Sequence, residues 1–332
     1  MADLIVLTAE GLYCPAGDFH IDPWRPVERA VITHGHADHA RTGMGRYYLC
    51  NGSLPVLRWR LGPQQDYHPF AYGERFTLGQ AQLSFHSAGH VLGSAQVRVQ
   101  VGDEVWVASG DYKRQADPSC DPFEVVPCDT FITEATFGLP IYRWPDTTEV
   151  VREIDHWREE CGRRGEAAIL YCYALGKAQR ILAELLPINP ATVYLHGAVD
   201  TGVRVYREAG VPLVATAPVS EMPKDFNFAG QLIIAPPSAA GSSWVRRFRH
   251  AQQGFASGWM RVRGNRRRRN YDRGFVISDH ADWPDLLRTV RQTGARRIIA
   301  THGNTDALVR ALNEMGIRTG IFQTHYGEEE GQ

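Results

Sequence analysis

The sequence predicts a layered α/β fold on three observations. Short apolar runs that favour β-strands recur along the chain. In the second half they alternate with apolar residues at helical spacing, which is typical of α/β or layered αββα domains. Six of the apolar runs lead directly to a His, Asp or Glu. Because a sheet holds the loops at its edge rigidly, six such strand ends indicate one shared site.

The six runs are short, apolar and β-prone, as buried strands are. They occupy residues 30–32, 81–85, 104–108, 130–132, 275–277 and 297–300. The residues to which they lead are His34, His90, Asp111, Glu134, His280 and His302. We expect these side chains to gather around one site.

Three helices are predicted from apolar residues at a spacing of three and four. The first has apolar residues at 178, 181, 182, 185 and 186 and stops at Pro187. The second begins near Pro284 and ends before Gly294, the usual positions of these two residue types. The third has apolar residues at 308, 309 and 312 and is capped by Asn304 or Thr305.

Composition limits the choice of partners. A chain of 332 residues is long enough for one large domain or two moderate ones. Its 43% hydrophobic and 22% charged residues are ordinary for a globular protein. The formal net charge is -1, so any nucleic-acid binding must come from a local basic patch.

The cysteines and the apolar stretches indicate the compartment. Six cysteines, at 14, 50, 120, 128, 161 and 172, are scattered without a CxxC pair, which favours a reducing environment. The first eight residues lack the basic and apolar stretches of a signal peptide. No stretch approaches the roughly 18 consecutive apolar residues of a membrane span. We therefore expect a cytoplasmic protein with no membrane partner.

The strongest signal for chemistry is the hexad His-Gly-His-Ala-Asp-His at residues 34–39. It holds four potential metal ligands, and Gly35 and Ala37 leave room for a turn. Imidazole nitrogens together with a carboxylate oxygen suit Zn²⁺, Mn²⁺ or Fe²⁺. An exposed polar loop is the alternative interpretation, but the spacing favours a metal site.

This hexad resembles the signature of the metallo-β-lactamase superfamily. Other segments are similar to motifs of its nucleic-acid-processing branch, the β-CASP nucleases. They contain Asp22 before Pro23, His90 in 88–93, Asp111 in 109–112, Glu134 in 133–138, His280 in 278–282 and His302 in 301–303. Residues 173–179 resemble the helix that opens the β-CASP insert. The resemblance covers residues 22–303, most of the chain.

Within this branch, the short length and the stretch 259–283 look most similar to the bacterial ligase-associated DNA exonucleases. The resemblance implies a metallo-β-lactamase αββα sandwich formed by residues 1–143 and 269–332. An α/β β-CASP domain at residues 144–268 would be inserted into it. The motifs lie on both sides of a helix-containing middle segment, in agreement with this division.

The resemblance also implies two divalent metal ions per chain, zinc or manganese. His34, His36 and His90 would bind one ion, Asp38, His39 and His302 would bind the other, and Asp111 would bridge them. Asp22 would orient a ligand imidazole from behind. Taken alone, the residues outside the hexad have structural interpretations, and it is their combination with the hexad that favours a metal role.

Two cations about 3.5–4 Å apart suit phosphodiester hydrolysis, because they activate a water molecule and neutralise phosphate charge. The leaving oxygen still needs a proton. Motif position makes His280 the predicted general acid, with Glu134 orienting its imidazole and keeping it protonated. Asp38 is included among the catalytic residues as a metal ligand. The alternative is that His280 is a further ligand.

The most biased segment is a run of arginines before the strand that leads to His280. It contains Arg261, Arg263, Arg266, Arg267, Arg268, Arg269 and Arg273, opposed only by Asp272. Arginine forks pair with phosphates, so the run predicts a track for a nucleic-acid backbone. Trp259 and Tyr271 flank it and could stack on bases. A solvated charged surface and core packing of Trp259 are the alternatives.

These observations favour a metal-dependent DNA exonuclease in DNA repair. Its substrate would be single-stranded or end-containing DNA, and a DNA ligase and a helicase would be its partners. An RNA-processing nuclease is the first alternative, because RNA-processing members of the branch carry His at the position of His302. The insert and the arginines argue against a small-molecule hydrolase, and the complete ligand set argues against an inactive binding module.

Overall fold

The structure is a computed structural model that describes residues 3–262 and 271–326. The described residues form two compact units. Unit 1 contains residues 3–116, 120–142 and 280–326, and unit 2 contains residues 117–119, 143–262 and 271–279. None of the described helices is long and apolar enough to span a membrane.

The strands of unit 1 fall in two stretches of the chain. They are β1 (Val6–Leu7), β2 (Leu12–Cys14), β3 (Phe19–Ile21), β4 (Arg29–Ile32), β5 (Arg46–Cys50), β6 (Tyr67–Phe70), β7 (Arg75–Leu78), β8 (Ala81–Ser87), β9 (Ala95–Val101), β10 (Glu104–Ala108), β11 (Thr130–Ala135), β18 (Arg297–Gly303) and β19 (Arg318–Ile321). Its helices are α1 (Leu54–Leu61), α5 (Trp283–Thr293) and α6 (Thr305–Glu314).

Two sheets face each other in unit 1. The first has the strand order β1-β2-β3-β4-β5-β6, and the second has the order β19-β18-β11-β10-β9-β8-β7. A shared core joins them, with Ile21 and Val31 from the first sheet and Phe85, Trp106 and Ile132 from the second. Burial of this shared apolar surface holds the two sheets together.

Helices cover the outer face of each sheet in unit 1. Leu57 of α1 packs with Ile32 of the first sheet. Leu286 of α5 and Leu308 of α6 pack with Phe131 of the second sheet. Unit 1 is therefore a four-layer αββα sandwich, as predicted.

Unit 2 contains one six-stranded sheet. Its strands are β12 (Ala167–Tyr171), β13 (Val193–Leu195), β14 (Thr216–Pro218), β15 (Leu232–Ala235), β16 (Ala251–Ala256) and β17 (Arg273–Phe275), and its helices are α2 (Thr147–Arg163), α3 (Lys177–Leu185) and α4 (Gly197–Glu208). The order is β14-β13-β15-β12-β16-β17, and every pairing is parallel. The three helices pack on one face, and an aromatic cluster lies on the other.

The predicted helices form close to the expected positions. The first, α3, ends just before the predicted stop at Pro187. In α5, Pro284 lies in the first turn, and Gly294 at the C-cap has a φ of 67°. Asn304 is at the N-cap of α6 but makes no side-chain capping hydrogen bond. The sequence therefore predicted where α6 begins, but the expected capping hydrogen bond is not formed.

Unit 2 extends beyond the segment expected for the insert. The family resemblance predicts its end at residue 268, whereas the compact unit continues to Asp279. The reason is β17, which pairs in parallel with β16 from Gly254↔Arg273 to Ala256↔Phe275. Residues 117–119 also belong to unit 2, although the sequence pattern places them before Glu134 with the metal motifs.

Candidate metal centre

The predicted ligands gather within unit 1, where strands end. The hexad follows β4, Asp22 follows β3, and Asp111 follows β10. Glu134 and His302 lie in the last residues of β11 and β18, which are parallel neighbours. Rigid strands therefore present these side chains on short loops at one place.

The first ligand cluster consists of His34, His36 and His90. Nδ1 of His36 lies 3.1 Å from Nε2 of His34 and 3.0 Å from Nε2 of His90. All three imidazoles are buried. Oδ2 of Asp111 lies 3.6 Å from Nε2 of His34 and 3.9 Å from Nε2 of His90. Four ligand atoms thus point into one small volume.

The second ligand cluster consists of Asp38, His39 and His302. Nε2 of His39 lies 3.6 Å from Oδ2 of Asp38 and 3.4 Å from Oδ2 of Asp111. Nε2 of His302 lies 3.1 Å from Oδ1 of Asp111. Asp111 therefore lies between the two clusters.

Asp22 holds two parts of the hexad loop in place. Its Oδ2 lies 2.7 Å from Nδ1 of His39, which leaves Nε2 of that ring directed to the cluster. Its Oδ1 accepts a hydrogen bond of 2.8 Å from the backbone N–H of Thr33. The Thr33 hydroxyl also lies 3.0 Å from Nδ1 of His34. Asp22 thus contacts the ring nitrogen of His39 that is directed away from the cluster.

His280 and Glu134 form a buried pair beside the first cluster. Nδ1 of His280 lies 2.9 Å from Oε2 of Glu134, and the His280 ring centroid is 4.8 Å from that of His90. Oε1 of Glu134 accepts a 2.7 Å hydrogen bond from the backbone N–H of Tyr112. Both Glu134 oxygens are therefore engaged, which fixes the orientation of the His280 ring.

Burial and neighbouring charges shift the pKa values of the ligand side chains in different directions. Burial, reinforced by His39, holds the pKa of His34 well below its ordinary value. Burial would also lower the pKa of His39, but Asp111 and Asp38 outweigh it and hold that pKa well above the ordinary value. Burial would raise the pKa of Asp111, but His39 and His302 outweigh it and hold that pKa well below. The second cluster therefore favours positive charge.

The donor set fits divalent cations. Imidazole nitrogens with carboxylate oxygens are the ligands of zinc and manganese sites. Nε2 of His39 and Oδ1 of Asp111 are buried, and among the described residues neither atom makes a hydrogen bond of good geometry. Buried polar atoms of this kind usually have a partner, and a cation would provide one. His34, His36, His90 and Asp111 could hold one ion, and His39, Asp111 and His302 with Asp38 could hold another.

One aromatic residue of the site was missed by the sequence analysis. The Tyr326 ring stacks on His39 with centroids 4.4 Å apart and an interplanar angle of 14°. It also meets His302 edge-on at 5.6 Å and Trp24 edge-on at 5.7 Å. Its hydroxyl lies 3.4 Å from the carbonyl oxygen of Ile21. No local pattern marks Tyr326, because Trp24 and His39 lie hundreds of residues earlier and His302 lies in β18.

Two cationic side chains that we did not predict support the ligand loops. Arg60 of α1 donates a 2.6 Å hydrogen bond to the carbonyl oxygen of Gly35, inside the hexad. The buried Lys113 donates a 3.1 Å hydrogen bond to the carbonyl oxygen of His90. Both bonds restrain the backbone of a ligand loop rather than a ligand atom.

The predicted arginine track is only partly within the described residues. Arg263, Arg266, Arg267, Arg268 and Arg269 lie outside them. Arg273 pairs with Glu160 at 3.1 Å. Tyr271 stacks on Phe255 with centroids 4.9 Å apart, inside the aromatic cluster of unit 2. The track therefore stays a prediction, and in this structure Arg273 and Tyr271 already have partners in unit 2.

Comparison with known proteins identifies relatives over most of the chain. No protein-family model matches. A probable DNA ligase of Opitutus terrae is 31% identical over 316 residues, which are 93% of this chain and 30% of that protein. A ribonuclease of Thermus thermophilus is 29% identical over 54% of this chain and 45% of its own length. An endoribonuclease of Kluyveromyces lactis is 26% identical over 47% of this chain and 25% of its own length.

The chain thus spans from a quarter to less than half of the length of these relatives. Among solved structures, a protein of unknown function from Enterococcus faecalis V583 has a similar fold, with a TM-score of 0.61 and 12% identity. That similarity covers 90% of this chain and 80% of the other. The sandwich, the motifs and these relatives lead to one assignment. These findings support the metallo-β-lactamase superfamily and its β-CASP branch as the family of this chain.

Proposed function

We propose that this chain is a metal-dependent nuclease that hydrolyses DNA phosphodiester bonds. The observation that carries the proposal is the position of Asp111 between two ligand clusters, with the His280–Glu134 pair beside them. Two divalent cations, when bound, would activate water and neutralise phosphate charge. His34, His36 and His90 would hold one of them, Asp38, His39 and His302 the other, with Asp111 shared.

The chain's own acid–base group is His280. Because Nδ1 of its ring faces Oε2 of Glu134, the carboxylate stabilises the protonated imidazole and fixes its plane. Nε2 is then the ring nitrogen that can give a proton to the leaving oxygen of a bound phosphodiester. Burial of this pair keeps water from competing for the Glu134 carboxylate. We infer that His280 acts as the general acid.

DNA is the favoured substrate. The match to the probable DNA ligase runs over 93% of the chain, whereas the ribonuclease matches run over about half of it. We propose an exonuclease that acts in DNA repair with a DNA ligase. RNA is the second candidate, and two observations favour it: two relatives are named as ribonucleases, and His302 occupies the second cluster.

The direct test is cleavage by the purified protein with Mn²⁺ or Zn²⁺. Single-stranded DNA, duplex DNA and RNA of one sequence, each labelled at either end, would be compared in parallel. We expect DNA to be degraded from an end. Faster cleavage of RNA would support the second candidate. Internal fragments from end-blocked DNA would contradict an exonuclease.

The controls separate this site from a contaminating nuclease. Asp38→Ala should remove the activity, whereas His156→Ala should not, because His156 is an exposed residue of α2 in unit 2. Protein that holds two metal ions and cleaves no nucleic acid would contradict the proposal.

A further inference from the structure

A groove in unit 2 lies at the amino ends of three central parallel strands. Its walls are the segments that directly precede β12, β15 and β16. The groove has a volume of about 590 Å³, within the range of roughly 300–1,000 Å³ that is common for ligand sites. It is at the opposite edge of the sheet from the carboxyl end of β17, after which the chain continues to Asp279.

Hydrogen bonds and aromatic packing give the groove a fixed shape. The Ala167 N–H donates to the His250 carbonyl at 2.9 Å, and the Gly230 N–H donates to the Glu166 carbonyl at 2.8 Å. The floor is formed by the buried rings of Phe228 and Phe248, with centroids 5.0 Å apart. The three wall segments are therefore joined to one another.

Positive charge predominates along the groove. Lys224, Arg247 and Arg249 line it, together with one carboxylate, Asp225. Lys224 and Arg249 are exposed, and among the described residues neither makes an ion pair or a side-chain hydrogen bond. On a chain whose net charge is -1, this is a local concentration of cations without protein partners.

The third cation, Arg247, is held in place by hydrogen bonds to the backbone of the groove wall. Arg247 donates hydrogen bonds of 2.7 Å and 2.9 Å to the carbonyl oxygens of Met222 and Pro223. Its guanidinium carbon lies 5.6 Å from the centroid of the Phe228 ring. Arg247 therefore contributes fixed positive charge to the wall, whereas Lys224 and Arg249 remain available to a ligand.

An aromatic ring lies among these cations. Phe226 is half-buried, and its ring centroid is 4.7 Å from that of Phe228 and 5.3 Å from that of Tyr194. Its position is fixed by these two rings, while the exposed part remains available to the groove. A rigid ring beside free cations is the arrangement that binds a base and its neighbouring phosphates.

We propose that this groove binds a single-stranded segment of nucleic acid, with phosphates at Lys224 and Arg249 and a base against Phe226. The inference deepens the proposed nuclease function and rests on it. A single strand is favoured over a duplex, because a base has to leave its stack to reach a ring. The groove would hold a part of the strand that is not being cleaved.

The test is binding of fluorescent single-stranded oligonucleotides of increasing length, in EDTA, measured by anisotropy. The variant Lys224→Glu/Arg249→Glu should bind long strands at least about tenfold more weakly at low salt. The slope of log affinity against log salt concentration, here called the salt slope, should fall in magnitude by roughly one for each phosphate that the groove no longer binds. Phe226→Leu, which keeps apolar volume, should weaken binding and leave the salt slope unchanged.

A matched control is Arg152→Glu/Arg318→Glu. It makes the same charge change at two exposed arginines without ion pairs among the described residues, and its affinity should fall much less. Equal decreases in the two double variants would overturn the proposal, since only the net charge would then matter. It would also be overturned if only duplex binding were weakened, or if the groove bound an acidic polypeptide but no oligonucleotide.

Hydrolysis of bis(4-nitrophenyl) phosphate separates this inference from the proposed function. The small diester reports on the metal centre alone, and we expect Lys224→Glu/Arg249→Glu to hydrolyse it as the unmodified protein does. Absence of hydrolysis and of oligonucleotide binding in the unmodified protein would contradict both proposals. Normal hydrolysis with unchanged oligonucleotide binding in the groove variant would overturn the groove alone.

Discussion

The two ligand clusters differ in where their residues come from along the chain. His34, His36 and His90 lie within one stretch of unit 1 and are joined by imidazole contacts of 3.0 and 3.1 Å. Asp38 and His39 belong to the same stretch, but their third partner, His302, is separated from them by the whole of unit 2. The residues of the first cluster therefore all precede unit 2 in the chain, whereas the second cluster needs a residue that follows it.

The second cluster also differs in having more contacts that hold a ligand side chain in place and more carboxylates. Asp22 holds His39 from one side, and Tyr326 stacks on it from another. Carboxylates make the site favourable for a cation, as the raised pKa of His39 indicates. The second cluster depends on more contacts. We therefore expect single substitutions of the supporting residues to weaken metal binding at the second site more than at the first.

The largest effect should come from the shared ligand. Asp111→Ala should lower the content of both metals and remove measurable cleavage, because Asp111 lies within 3.9 Å of ligand atoms of both clusters. Asp38→Ala should also remove cleavage but empty only the second site. Elemental analysis after gel filtration measures both. Two retained metals in Asp38→Ala would show that Asp38 is not a ligand.

His280→Ala should act on chemistry rather than on metal content. Loss of a general acid typically slows the reaction by about 10²–10⁴-fold. The defect should shrink on a nitrophenyl phosphodiester, whose leaving group needs no proton. Glu134→Gln should change the rate in the same direction by less, since its amide oxygen can still accept from Tyr112. Loss of a metal from His280→Ala would make His280 a ligand instead.

A smaller effect is expected at Asp22. Asp22→Asn should weaken metal binding at the second site by about 10–100-fold, the usual range for a residue that orients a metal-bound histidine. Binding at the first site should change little. Titration with a chelating indicator would resolve the two sites. Thr33→Val is the control for the second site, because it removes the hydroxyl contacts of Asp22 and of His34 but keeps the bond of Asp22 to His39.

The smallest effect should be at Tyr326. A pair of aromatic rings contributes about 0.5–1.5 kcal/mol beyond the area it buries. Tyr326→Ala should therefore weaken metal binding at the second site several-fold, and Tyr326→Phe should retain it, because the stack on His39 persists. The same titration measures both variants. Equal affinity in Tyr326→Ala would mean that the stack does not support the site.

The sequence predicted what is local. The hexad was found because its ligands are neighbours in the chain, and five of the six short apolar runs form strands of unit 1. In the sixth, 275–277, only Phe275 lies in a strand, and that strand is β17 of unit 2. Pro284 and Gly294 marked the ends of α5 because their backbone preferences act within a few residues. The αββα layers followed from the family resemblance and the alternation of strands and helices.

The rest depends on contacts between distant residues. Tyr326 meets Trp24, His39 and His302 only after the sandwich has formed. The pairing of β17 with β16, which extends unit 2, depends on sheet register and has no local signal. The basic groove combines segments that precede three separate strands, and no one of them is unusual alone.

The separation of His302 from the other ligands has a consequence for synthesis. The ribosome delivers a chain from its amino end to its carboxyl end, and domains generally fold as they emerge. His34, His36, His90 and Asp111 are made before unit 2, whereas His302 follows residue 279, where unit 2 ends. The nascent chain thus contains every proposed ligand of the first cluster early, but the last ligand of the second only after unit 2 has been translated. A truncated translation product would therefore lack the second cluster, so the proposed nuclease would not act on nucleic acid near the ribosome before its synthesis has passed residue 302.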